Sequence, residues 1–227
     1  MKTMKINGYI VSNDYKWAMD ELGLESFCPR ELDAVTASLK PAETLTVEIN
    51  SDGGDVQAGQ QIYSTLKALG QEHPIEVRIL SRAASAASMI AMAGHEVKMY
   101  PVAQLMIHNC STRAEGDYRT MLHTSEVLQS VNAAIRQAYM EKTGIPEDEL
   151  IAMMDEESWI NANKCVKLGF ADAIIRDDSS KLMTNAVMGN SPLTAEMIAQ
   201  AKAKRAEREA REQELQALRA KLPTYGI

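Results

Sequence analysis

At 227 residues and 25.0 kDa the chain can bury one substantial core and carry an appendage, but it is short for two full catalytic domains. With 45% hydrophobic and 24% charged residues it has the balance of a folded globular protein, which excludes a wholly disordered or fibrous chain. A net charge of -7 would repel a phosphate backbone, and with only 5% aromatic residues the chain lacks stacking platforms, so nucleic acid is excluded as a partner of the whole chain.

Cys28, Cys110 and Cys165 are odd in number and widely spaced, giving neither a disulfide framework nor a CxxC zinc pattern. The N-terminal stretch has no long apolar run or small-residue cleavage site, and nowhere do eighteen apolar residues follow one another. The expectation is a reducing, cytoplasmic setting with no membrane association.

In chain order, 44–49 (TLTVEI) and 75–80 (IEVRIL) alternate apolar residues at period two and predict strands. Between them Ile62, Leu66 and Leu69 recur at helical spacing and the run closes at Gly70, so 44–80 predicts a right-handed βαβ crossover with a parallel strand pair. Residues 85–94 predict a small-residue helix, and 96–100 and 104–108 two short strands. A long amphipathic helix follows at 117–143, with Leu128, Val131, Ile135 and Ala138 on one face and Gly144 and Pro146 as its stop. EDELIAMMD and WINANKCVKLG predict two more helices, and 171–175 a last strand.

The expected organisation is an α/β domain over 1–176, a linker at 177–190 and a charged helical tail at 191–227. The tail holds seven Lys/Arg against five Asp/Glu, which leaves +2 there and, from a total of -7, -9 on residues 1–190. Its short Leu215, Leu218, Leu222 stripe leaves a solvated helix and a partner-binding helix as equal readings.

Four stretches could carry chemistry. NSDGGDVQAG turns a strand through two glycines into a helix, where amides can face an oxyanion; it matches neither GxxxxGK[ST] nor GxGxxG. In SRAASAASMIAMAG, Ser85 opens a helix with its hydroxyl reachable, Ser88 being a weaker competitor; a capping or packed serine is the plainer reading, and the GxSxG elbow is absent. His108 ends an apolar strand, where open α/β sheets present catalytic groups, although a lone strand-end His is more often a core residue. His73 before Pro74, His95 after Gly94 and His123 on a polar helix are less promising, and Cys110 is better explained by burial than as a nucleophile. In MMDEESW, Asp155, Glu156 and Glu157 form an acidic cluster from which one carboxylate could orient an imidazole, the others being solvated charge.

Together and in this order these stretches resemble the Clp protease proteolytic subunit family, serine peptidases of the wider crotonase-like fold. The matching stretches are NSDGGDVQAG, RAASAASMIAMAG, LMIHN and SWINANKCVKLGFADAI, and the similarity spans about residues 5–176. The resemblance implies an α/β fold of repeated ββα units with a protruding interface helix, and carries the nucleophile to Ser85 and the general base to His108. The family's Ser-Pro-Gly-Gly falls on Ser51, Asp52, Gly53 and Gly54, so the oxyanion-hole amides would be those of Gly54 and Ala86, with Asp52 replacing the Pro. A gapless register puts Glu157 where the family has the triad Asp; a shift of two would recruit Asp155. The Glu-Ser-Trp wording and charged tail look more like the phage-encoded head-maturation (prohead) branch.

The resemblance further implies peptide or protein substrates, no metal and no cofactor, and a homo-oligomer of heptameric or double-ring form. The 117–143 helix would stack the rings, and an unfoldase or phage capsid or scaffold proteins would be partners. Two other readings stand beside it: a crotonase-like acyl-CoA hydratase or isomerase, which needs the oxyanion loops but not the Ser85–His108 pair, and a non-catalytic assembly scaffold.

Overall fold

The computed structural model describes residues 1–176; the linker at 177–190 and the tail at 191–227 lie outside them. The described residues fall within one compact unit, Met1–Asp178.

The predicted crossover is present. Strand β3 (Leu45–Gly54) and strand β4 (Ile75–Ala84) pair in parallel, Val47 opposite Val77 and Ile49 opposite Ile79. Along both, the predicted period-two alternation places Leu45, Val47, Ile49, Ile75, Val77 and Ile79 fully in the core. Helix α3 (Val56–Leu69) joins them. Asp55 caps its start by accepting a hydrogen bond from the amide of Ala58 at 2.8 Å, and Ala58, Gly59, Ile62 and Leu66 form its buried face. A Cβ at Gly59 would lie 3.0 Å from that of Ala86, so side chains this small let α3 approach helix α4 (Ala86–Ala91) closely. Both strands run past their predicted ends, to Gly54 and Ala84, because parallel pairing continues to the glycine turn on one side and to Ser85 on the other.

Residues 1–36, for which the sequence predicts no elements, add strand β1 (Lys2–Ile10), helix α1 (Lys16–Glu21), strand β2 (Ser26–Phe27) and helix α2 (Pro29–Thr36). β1 lies beside β3, and its apolar alternation is interrupted at Gly8, where the register shifts between Asn7 and Tyr9. Strands β5 (Glu96–Met99), β6 (Gln104–Ile107) and β8 (Ala173–Ile174) sit near their predicted positions. The sheet order is β2-β1-β3-β4-β5-β8, with β6 branching from β4. β4 is therefore shared: Glu76–Ile79 pair with β5, while Arg82–Ala84 pair with β6.

One predicted element is corrected. WINANKCVKLG is not a single helix. Ser158–Asn161 forms strand β7, antiparallel to β6, and helix α7 begins only at Ala162, running to Leu168 with the Asn161 side chain as its cap. Between β6 and β7 come helix α5 (Tyr118–Thr143) and helix α6 (Glu147–Asp155). Asp117 caps α5, Gly144 at φ 72° ends it, and Ile135, Ala138 and Tyr139 are its buried residues. The core is mainly Ala, Val, Ile, Leu and Met; Tyr139 and Phe170 make an edge-to-face pair at 5.8 Å within it.

Gly8 has φ +70°, and a Cβ there would lie 2.0 Å from the carbonyl oxygen of Glu25. Gly8→Ala should therefore destabilise the fold by about 2 kcal/mol or more, checked by denaturant unfolding against wild type.

Candidate active site

Ser85 and His108 come together because β4 and β6 are neighbours. The parallel pairing ends at Ala84 opposite Met106, and the Ser85 amide extends it by donating to the Met106 carbonyl at 3.0 Å. Two residues beyond Met106, His108 brings its Nε2 within 2.8 Å of Ser85 Oγ. With Nε2 accepting from the hydroxyl, a neutral imidazole carries its proton on Nδ1.

Ser85 has φ 55° and ψ -126° at the start of α4. A non-glycine residue in such a conformation costs on the order of 1–3 kcal/mol and persists only where its surroundings hold it. Here the strand ladder holds its amide, and the Ser88 amide donates to its carbonyl at 3.0 Å.

Gly53, at φ +90°, packs against this turn: a Cβ would lie 2.7 Å from that of Ser85 and 2.9 Å from the Ala86 nitrogen. Its own amide donates to Ser51 Oγ at 3.0 Å, and that hydroxyl donates to the Gly8 carbonyl at 2.6 Å. One buried serine thus ties the glycine turn to β1. Asp52 forms an ion pair with Arg82 on β4, whose guanidinium lies over the Trp159 ring at 5.6 Å.

A cavity of about 600 Å³ opens beside the pair, lined by Gly54, Ser85, Ala86 and His108 together with Met89, Val131 and Ile135. Four of the five predicted site residues therefore share one cavity; Glu157 does not line it. Neither acidic candidate is hydrogen-bonded to His108. Asp155 accepts a 2.7 Å hydrogen bond from the side-chain amide of Asn109, next in chain to His108. Glu157, at φ 52°, accepts one from the Trp159 indole at 3.2 Å. The β6–β7 register pairs Ile107 with Ser158, and one further step sets Glu157 across from His108.

The weaker candidates have structural partners. Ser88 is fully buried and hydrogen-bonded on two sides, out of reach of a substrate. His73 Nδ1 faces the Glu43 carbonyl, and His95 Nδ1 accepts from the amide of Ile75. His123 is exposed yet lines the cavity, a position its polar helix did not signal. Burial pushes the Cys110 thiol up, which keeps it protonated and unreactive at neutral pH. Asn109, Asn132 and Tyr139 went unnoticed in the sequence, where a lone amide or phenol on a helix or loop carries no chemical signature.

The model of the Clp protease family matches residues 33–178, well over half of the sequence. The chain belongs to the Clp protease family, a family of serine peptidases. Among solved structures it is similar to a mutant form of ClpP1 from Listeria monocytogenes, at 20% identity over 78% of this chain and 92% of that one. The TM-score of 0.62 establishes the shared α/β fold. Among the described residues no helix is long and apolar enough to cross a membrane.

Ser51→Ala removes both hydrogen bonds of the glycine-turn pin. It should destabilise the protein by about 1–3 kcal/mol, read from thermal or denaturant unfolding.

Proposed function

We propose that the chain is a serine endopeptidase in which Ser85 is the nucleophile and His108 the general base. The observation that carries this reading is the 2.8 Å hydrogen bond from the hydroxyl of a backbone-strained serine to an imidazole at the mouth of a cavity. Ser85 Oγ attacks the peptide carbonyl while His108 Nε2 takes its proton. His108 then returns that proton to the departing amine, leaving an acyl-enzyme that water hydrolyses by the same steps.

The amides of Gly54 and Ala86 receive the tetrahedral oxyanion. Commitment of the Gly53 amide to Ser51 supports Gly54 as the donor from the glycine turn. Loss of one such donor generally costs about 100- to 1000-fold in turnover. The third member is Glu157, supported by the register that sets it across from His108; turning from the Trp159 indole to Nδ1 would complete the triad. Asp155, held by Asn109, is the alternative.

The chemistry needs no metal or cofactor. Peptides or proteins are the substrates, and the working particle is a homo-oligomer, heptameric or double-ringed, stacked through α5, its partners being an unfoldase or phage capsid or scaffold proteins. The Glu157-Ser158-Trp159 wording supports a phage head-maturation role acting on capsid or scaffold proteins.

A fluorophosphonate probe should label the wild type, whereas Ser85→Ala and His108→Ala should lose labelling or peptide cleavage by about 10⁴-fold or more. Equal labelling of all three proteins would end the assignment. Labelling of Glu157→Gln should be slower than that of Asp155→Asn; the reverse order transfers the role to Asp155.

A further inference from the structure

The conformation of Ser85 is held by a relay of hydroxyls reaching into α5. The Ser85 carbonyl accepts from Ser88 Oγ at 2.6 Å, in addition to the Ser88 amide. A serine hydroxyl has one proton, and here the carbonyl receives it. The 2.8 Å contact between Ser88 Oγ and Tyr139 Oη is therefore donated by the phenol. Tyr139 is 1% exposed and Ser88 0%, so water does not compete for either bond. The order is Tyr139 to Ser88 to the Ser85 carbonyl, with each proton directed toward the nucleophile's backbone.

The same helix also reaches the other half of the pair. Asn132 Oδ1 accepts from the amide of Cys110, two residues after His108, at 2.8 Å. Cys110 Sγ donates to the Leu128 carbonyl one turn earlier on α5. Asn132 and Tyr139 are seven residues apart, so they lie on nearly the same helical stripe about 10.5 Å from each other. A rigid helix therefore grips the segment carrying the serine with one side chain and the segment carrying the histidine with another.

We propose that Tyr139, through Ser88, and Asn132 are positioning residues that set the Ser85–His108 geometry from α5. The proposal rests on the peptidase reading above for its catalytic consequence, but its structural part does not. Asn132 does not line the cavity, and Tyr139, which borders it, is only 1% exposed; each acts through the segment it holds.

The test compares wild type, Ser88→Ala, Tyr139→Phe and the double variant, all checked for native melting behaviour, by fluorophosphonate labelling rate. Each single variant should slow labelling about five- to tenfold, the worth of one net hydrogen bond. The double variant should be no slower than the slower single, because the two residues form one series and the phenylalanine removes the hydroxyl that Ser88→Ala leaves unpaired. Additive slowing, or a wild-type rate for Tyr139→Phe, overturns the relay.

For the second grip, Asn132→Asp keeps an acceptor for the Cys110 amide and should label several-fold faster than Asn132→Leu. Equal rates remove Asn132 from the role. Hydrogen exchange supplies a readout independent of catalysis: the amides of Ser88 and Met89 should exchange several-fold faster in Tyr139→Phe, while that of Val47 in β3 stays unchanged. Unaltered exchange at Ser88 and Met89 overturns the relay even if labelling changes. An unlabelled wild type would instead sink the peptidase reading, and exchange would still decide whether Tyr139 holds the Ser85 turn.

Discussion

The pairing of β6 with only the C-terminal part of β4 is the constraint on which the candidate site depends. β4 gives its first half to β5 and its second half to β6, so the sheet forks beside the point where β4 becomes α4. A residue one step past Ala84 and another two steps past Met106 then meet at hydrogen-bonding distance. If β6 slipped by one residue, the side chain at 108 would turn to the other face of the sheet and the imidazole would be lost to the serine. Register here decides the Ser85–His108 hydrogen bond as well as the packing.

The sharp turn at Ser85 follows from the same geometry. A strand that must deliver a hydroxyl and then start a helix has little room, and the backbone adopts a conformation that a non-glycine residue seldom holds. Its surroundings compensate on every side: the Met106 carbonyl takes the amide, Ser88 fills the carbonyl, and Gly53 leaves space where any side chain would collide. The small residues around it, Ala83 to Ala87 on one side and Gly59 on the other, make the approach of α3 and α4 possible. The low aromatic content and the alanine-rich Ser85 segment are thus two aspects of one tightly layered architecture.

Much of this frame was legible in the residues. The β3–α3–β4 crossover, the small-residue helix and the long α5 were marked by local periodicity and by Gly70 and Gly144 as stops. By position alone Ser85 reads more plainly as a helix cap and His108 as a core residue; it is the resemblance of four stretches in order to the Clp protease family that singles the two out. The failures have equally specific causes. β1 alternates in its first half, but Gly8 shifts the register and breaks the period. β7 is only four residues long and is a strand because β6 lies beside it, so WINANKCVKLG read locally as helix. The choice between Asp155 and Glu157 stayed open because α6 ends between them and Glu157 itself has positive φ, where counting residues does not say which way a carboxylate points.

The chain's own pattern of apolar residues and breakers determined a parallel α/β body and marked Ser85 and His108 as candidates among plainer readings, which the resemblance to the Clp protease family singled out, since those signals are local and each element carries its own. Tertiary structure alone decided that the hydroxyl and the imidazole meet, that Ser88 is a buried brace, and that a tyrosine and an asparagine on α5 reach the two loops. Those contacts join residues 23, 51 and 22 positions apart. Their distances depend on strand order and helix placement, which no short window of sequence encodes.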